Sequence, residues 1–162
     1  MTSVNRTSPY FWKALMSVLT SGAGDFEGGT LKAMILGTNT TVDTEWDSLP
    51  TLASVTTLDE YFHSTTTYPR IELASILPDV AGTQAFLDFD DPSWPSLTAG
   101  TITPEHILIY VELDGADLDA SGTPPPVTDR VPVALVDGTF TPDGTDFVPV
   151  VPANGLFYGE TA

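Results

Sequence analysis

The chain has no cysteine and few basic residues. It carries five Lys and Arg against 22 Asp and Glu, which gives a formal net charge of −17 at pH 7. Nucleic-acid binding depends on clustered Lys and Arg, and anionic lipid surfaces repel an acidic chain, so we expect neither nucleic acid nor membrane as a partner. The lack of cysteine removes disulfides and favours synthesis in a reducing compartment. No stretch approaches the roughly 20 apolar residues of a membrane span.

Residues suited to catalysis are also scarce. There is no G-x-S-x-G turn, and the two histidines, His63 and His106, lie far apart in FHSTTT and EHILIY. We expect each histidine at the surface or at a strand edge. Carboxylates are so abundant that a pair such as Asp88 and Asp90 carries little information about a glycosidase-like site. The sequence therefore predicts a protein that is not an enzyme and has no cofactor.

The N-terminal region contains the one long helix that the sequence predicts. Residues 1–7 are polar and are expected to form an extended arm. Ser8 supplies a capping hydroxyl, and Pro9 suits the first helical position because an N–H there would lack a helical partner anyway. We predict a helix over residues 8–21, with Gly22 as its stop.

The rest of the chain has the composition of short strands separated by turns. Val, Ile, Tyr and Phe favour a pleated, half-buried surface, whereas Gly, Pro, Asp and Asn end strands. Pro132, Pro149 and Pro152 fit only at sheet edges or bulges. Trp46 and Leu49 are expected to be buried. We predict strands over 31–37, 71–77, 83–89, 105–113, 130–137 and 147–151, with a helical turn or short strand at 58–64.

This pattern predicts the fold class. Frequent turn signals between short strands indicate an antiparallel sheet protein. We expect one domain over residues 1–162, mainly β, forming an antiparallel, jelly-roll-like β-sandwich with one short N-terminal α-helix.

The segment DGADLDASG is the best metal candidate in the sequence. Asp117 and Asp119 precede Gly122 at the spacing of the first half of an EF-hand loop. The Glu that such a loop needs six residues later is replaced by Thr128, and three prolines replace the exiting helix. A looser calcium site built from Asp114, Asp117 and Asp119 is one interpretation; we prefer an acidic turn between strands, with no metal.

Two loop features indicate contacts with a partner. Trp94 lies between prolines in DDPSWPS, and Pro124, Pro125 and Pro126 form a rigid run. Aromatic residues are enriched at binding hot spots, and polyproline presents a preformed surface. For Trp94, a lid over one end of the sandwich is an equal alternative.

Four segments share their order and turn chemistry with a known family. FWKALMSVLTSGAGDFEGGTLKAMILG combines a helix, a Gly/Asp connector and a strand, and LDEYFHSTTTYPRIELAS is an acidic-aromatic element before an Arg-containing strand. ILIYVELDG is a strand with its turn, and RVPVALVDGTFTPDGTDFVPVVPANGLF is a terminal hairpin with a TP-x-G-x-D turn. Together they resemble small structural proteins of tailed-bacteriophage virions, of the head-decoration or capsid-cement type. The Trp94 loop and the triple proline depart from that pattern.

The resemblance implies a non-enzymatic virion protein that binds the major capsid protein on the head surface and bridges neighbouring subunits. It also implies synthesis in the host cytoplasm and self-association, with a trimer favoured. A phage tail, neck or fibre component is one alternative. Another is a secreted carbohydrate- or calcium-binding sandwich, with Trp46 and Trp94 as aromatic platforms. The interface residues that we predict are Tyr10, Phe11, Trp12, Trp94, Pro124, Pro125 and Pro126.

Overall fold

The described part of the chain consists mainly of β-strands. The computed structural model describes residues 5–7, 30–63, 66–67, 70–74, 77–81, 84–100, 102–112, 130–138, 140–150 and 157–160. The predicted helix over 8–21 lies outside these ranges. So do the predicted site residues Tyr10, Phe11, Trp12, Asp114, Asp117, Asp119, Pro124, Pro125 and Pro126.

Ten strands and one single-turn helix, α1 (Val42–Glu45), are present in this part. Two 3₁₀ turns, Trp46–Ser48 and Leu52–Ser54, follow the helix. The strands are β1 (Asn5–Thr7), β2 (Thr30–Gly37), β3 (Phe62–His63), β4 (Thr66–Thr67), β5 (Ile71–Glu72), β6 (Leu77–Ala81), β7 (Gln84–Asp88), β8 (Pro104–Glu112), β9 (Arg130–Asp137) and β10 (Phe157–Glu160).

A five-stranded sheet with the order β1-β9-β8-β2-β5 forms the centre of the fold. A three-stranded sheet, β10-β7-β6, and the pair β3-β4 complete the described strands, and every described pairing is antiparallel. The prediction of a mainly β, antiparallel fold is confirmed. The packing of the sheets into a sandwich stays a prediction. The predicted arm is extended at Asn5–Thr7, where it pairs with β9 as an edge strand.

One face of the central sheet is covered by loop residues. Successive side chains of a strand point to opposite faces, so the odd-numbered apolar residues of β2 and β8 share one face. They pack with Tyr61 and Leu73 and with Trp94 and Leu97, which lie on the loop after β7. The buried strand residues on this face are Leu31, Ala33, Ile35, Ile107, Ile109, Val111, Val133 and Ala134.

The opposite face is covered by the helical segment after β2. Met34 and Leu36 of β2, Leu108 and Tyr110 of β8, and Leu135 of β9 lie on this face. Their cover comes from α1 and the two 3₁₀ turns, through Val42, Trp46, Leu49 and Leu52. The expectation that Trp46 and Leu49 are buried is confirmed. Because both faces are covered, the long strands read as nearly continuous apolar runs.

A bulge accommodates Pro132 within β9. Ile109 pairs with Ala134, but Tyr110 pairs with Pro132, so Val133 is the extra residue on that strand. Proline lacks the N–H of a regular ladder, and a bulge interrupts the ladder where that N–H would be needed. The predicted bulge or edge position is confirmed for Pro132.

Two of the predicted strands differ from the structure. Residues 71–77 do not form one strand: Ile71–Glu72 pairs with β2, whereas Leu77 begins β6, which pairs with β7. Over 147–150 there is no strand, and the segment makes only an isolated bridge from Phe147 to Trp94. Pro149 removes a ladder donor from this stretch. The strand β10 was not predicted.

We expect Leu108→Ala to lower the free energy of unfolding by about 2–5 kcal/mol, because it leaves a cavity between β8 and the helical segment. Leu108 is fully buried on the face of the central sheet that the helical segment covers. Urea denaturation measures the change, and Val150→Ala, at an exposed position, is the control. Similar losses for the two variants would contradict the two-faced core.

Candidate interaction surface

The loop that carries Trp94 is held against the segment 144–147. The N–H of Trp94 donates to the carbonyl of Phe147 at 2.9 Å, and the N–H of Phe147 donates back to Trp94 at the same distance. The Leu97 N–H donates to Thr145 at 2.8 Å, and the Gly144 N–H donates to Leu97 at 2.9 Å. These four backbone hydrogen bonds join two loops that are about fifty residues apart in sequence.

Trp94 is part of the core. Its side chain is 1% exposed and belongs to the cluster on the odd-numbered face of the sheet. The prediction that Trp94 contacts a partner is therefore wrong, and the alternative role as a lid over the core fits its position. Trp46 is 3% exposed. Neither tryptophan can serve as an open platform for a sugar ring, so the glycan-binding alternative loses the two residues on which it depended.

Trp94 supports two phenylalanines nearer the surface. The ring of Phe147 lies 6.0 Å from that of Trp94, and it stacks on Phe140 at 4.0 Å with an interplanar angle of 10°. Both phenylalanines are half-buried and pack against the core. The aromatic stack is therefore packed against the core, with Trp94 behind Phe147.

A shallow depression of about 180 Å³ opens beside this stack. Its lining residues are Phe140 and Phe147, Asp143 and Asp146, and Leu97, Thr141, Pro142 and Thr145. Both carboxylates are at the surface. Asp143 and Asp146 were not among the predicted site residues, although both lie within the TP-x-G-x-D turn.

Local hydrogen bonds orient both carboxylates. Asp143 Oδ1 accepts from the Thr145 hydroxyl at 2.6 Å and from the Thr145 N–H at 2.9 Å. These bonds, the hydroxyl first, hold the pKa of Asp143 below its usual value, so the group is charged at neutral pH. Asp146 Oδ1 accepts from the Ser96 N–H at 2.8 Å. Each carboxylate is fixed through one oxygen and retains a second oxygen that can accept a further donor.

Two exposed valines follow the depression in the chain. Val148 is 44% exposed and Val150 is 78% exposed, whereas Phe147 and Pro149 are half-buried. This alternation is typical of an extended segment with Val148 and Val150 on its outer side. The surface made by Phe140, Asp143, Asp146, Phe147, Val148 and Val150 is called the 140–150 face below.

A second polar cluster lies inside the fold, on the even-numbered face of the sheet. Glu112, 5% exposed, forms ion pairs with Lys32 of the neighbouring strand and with Arg130, whose Nε lies 3.1 Å from Glu112 Oε1. The Arg130 side chain is only 2% exposed. A buried charge is tolerated when it is paired, so the three residues depend on one another.

Arg70 and Glu60 form another internal pair. Arg70 Nε and Nη2 donate to the two oxygens of Glu60 at 2.9 and 2.7 Å, in the bidentate geometry that suits a carboxylate. Burial opposes the charge of Arg70, but Glu60 holds its pKa above the usual value. Burial also raises the pKa of the Tyr110 hydroxyl, whose oxygen lacks a hydrogen-bond partner. Arg70 therefore stays charged and Tyr110 stays neutral at neutral pH.

His106 is buried, which corrects the expectation that it lies at the surface or at a strand edge. Its Nδ1 lies 2.9 Å from Asp137 Oδ1 across the β8–β9 ladder, and its Nε2 lies 3.8 Å from Glu105. Among the described residues, no group of three or more His, Asp or Glu side chains is arranged to hold a metal ion.

Comparisons of the chain with models of protein families, with curated proteins and with solved structures gave no match. The resemblance to phage virion proteins therefore stays a prediction from the sequence. None of the helices in the described ranges has the length and hydropathy needed to cross a bilayer.

Gly144 controls the turn that carries Asp143 and Asp146. Its φ is +90°, and a β-carbon there would have room, so the cost of Gly144→Ala is conformational. We expect a loss of about 1–2 kcal/mol in the free energy of unfolding. Gly138→Ala is the matched control, because space is open there and φ is not positive, and it should change stability by less than about 0.5 kcal/mol. Equal effects would mean that the turn is not strained by a side chain.

Glu112→Gln tests the buried ion pairs. The amide keeps an acceptor oxygen but removes the negative charge that pairs with both Lys32 and Arg130, so we expect a loss of about 3 kcal/mol in chemical denaturation. Glu72→Gln, at an exposed position on β5, is the control and should cost less than about 0.5 kcal/mol. A small effect at Glu112 would show that the charges are solvated.

Proposed function

We propose that the chain is a non-enzymatic structural protein of a tailed-bacteriophage virion, of the capsid cement or decoration type. It binds the outside of the head and stabilises the shell by bridging neighbouring subunits of the major capsid protein. It is made in the host cytoplasm and acts in many copies, as a trimer or another symmetric assembly. The assignment to a phage head is based on the resemblance of the sequence to virion structural proteins.

The observation that supports a binding role is that the ionisable side chains in the interior of the fold are paired with one another. Glu112 is paired with Lys32 and Arg130, Glu60 with Arg70, and His106 with Asp137. Catalytic groups are placed where they can reach a substrate, often with a pKa shifted towards neutrality. The paired groups here hold strands together, which supports a protein that acts through the shape of a stable framework.

The charge distribution also supports a partner-binding role. Three of the chain's five basic residues, Lys32, Arg70 and Arg130, are engaged in these internal pairs. The exposed carboxylates therefore dominate the described surface. A strongly anionic surface keeps a protein soluble at high copy number and attracts partners with basic contact surfaces.

Particles with and without the protein test the proposal. We expect heads that lack it to release their DNA at lower temperature, or under milder osmotic shock, than complete heads, and we expect added protein to restore the resistance. DNA release followed by dye fluorescence during heating measures the difference. Density for the chain on the tail, or unchanged robustness of the heads, would contradict the cement role.

A further inference from the structure

We propose that the depression in the 140–150 face binds an arginine side chain, presented by an extended apolar segment of a partner protein. That the partner is the shell protein rests on the proposed function. The chemistry of the site rests on the geometry described above.

The size of the depression favours a single side chain. Sites for small-molecule ligands commonly have volumes of roughly 300–1,000 Å³, whereas this depression has about 180 Å³. Its walls are also preformed, because Phe147 stacks on Phe140 and is backed by Trp94 in the core. A site that is already ordered loses little conformational entropy when a side chain enters it.

The composition of the walls favours a cation. Asp143 and Asp146 border the depression together with Phe140 and Phe147; Asp143 is oriented by the hydroxyl of Thr145, and Asp146 by the N–H of Ser96 on the neighbouring loop. Aromatic rings attract cations through their negative faces, and carboxylates add direct charge attraction. Three of the chain's five basic residues, Lys32, Arg70 and Arg130, are engaged in ion pairs with Glu112 and Glu60, which favours a cation supplied by a partner.

Arginine fits this chemistry better than lysine. The guanidinium group is planar, so it can stack on an aromatic ring while its N–H groups donate to carboxylates at the edge. A lysine ammonium is a compact, strongly hydrated charge that cannot do both. The two Asp carboxylates and the Phe140–Phe147 stack therefore predict that the depression binds arginine more tightly than lysine, although the two side chains carry the same charge.

The exposed valines indicate what surrounds that arginine. Val148 and Val150 lie directly after the depression and expose apolar surface in an extended segment. An extended partner segment places alternate side chains on the same side, so apolar residues two positions before and after an arginine can reach these valines. The binding element that we infer is a short extended segment with an arginine and with apolar residues two positions before and after it.

The first experiment uses the peptide acetyl-Val-Thr-Arg-Thr-Val-amide, which places both valines on the same side as the arginine, titrated into ¹⁵N-labelled protein and followed by NMR. We expect shift changes concentrated at Leu97 and residues 140–150, and at least threefold weaker binding of the peptide with lysine in place of arginine. Shift changes spread over the acidic surface, or equal binding of the two peptides, would overturn the arginine site.

Paired substitutions separate the site from general charge attraction. Asp143→Asn with Asp146→Asn should weaken binding of the arginine peptide about fivefold to tenfold at low salt. Asp47→Asn with Glu72→Gln removes the same charge from two other exposed positions and should weaken it less than twofold. Equal losses in the two double variants would also overturn the proposal.

Binding to purified heads distinguishes this inference from the proposed function. If the wild-type protein binds heads and the Asp143→Asn/Asp146→Asn variant binds at least fivefold more weakly, the site is the shell contact. If both bind equally, the inference about the shell contact fails while the cement role stands. If the wild type does not bind heads, the cement role fails, and the peptide titration alone decides whether the arginine site exists.

Discussion

The fold depends on strands that are apolar on both faces. β2, β8 and β9 are buried along nearly their whole length, so a single sheet could not be stable unless other segments covered both of its sides. The helical segment that contains Trp46 covers one face, and the loops that contain Trp94 and Phe147 cover the other. This requirement places Trp46 and Trp94 in the core and leaves the turn at 141–146 on the surface.

The shortage of basic residues makes the position of each one important. Lys32, Arg70 and Arg130 are used inside the fold, where Glu60 and Glu112 need partners because unpaired charges in the interior are costly. The outer surface is consequently acidic, and its described carboxylates near the aromatic stack are fixed by loop donors. Because the few basic residues stabilise the interior, the surface is left acidic and attracts partners with basic contact surfaces.

Residue patterns were informative where local preference and burial agree. The predicted limits of β2, β7, β8 and β9 differ from the structure by no more than one residue at each end, and Pro132 lies at a bulge as expected. The strand predictions were wrong where the structure of a segment depends on which other segment pairs with it. Ile71–Glu72 and Leu77 belong to different sheets, and Phe147 makes one bridge to a distant loop instead of beginning a strand. Propensity carries no information about which segment lies alongside.

The sequence by itself determined the mainly β class, the acidic character and the burial of Trp46 and Leu49, because each follows from local composition and hydrophobic pattern. Only the tertiary structure decided that Trp94 is internal and that Phe140, Asp143, Asp146 and Phe147 border one depression. Four backbone hydrogen bonds between the loops at Trp94–Leu97 and Gly144–Phe147 create that arrangement. Such contacts between distant segments depend on the packing of the whole sheet, which no local pattern encodes.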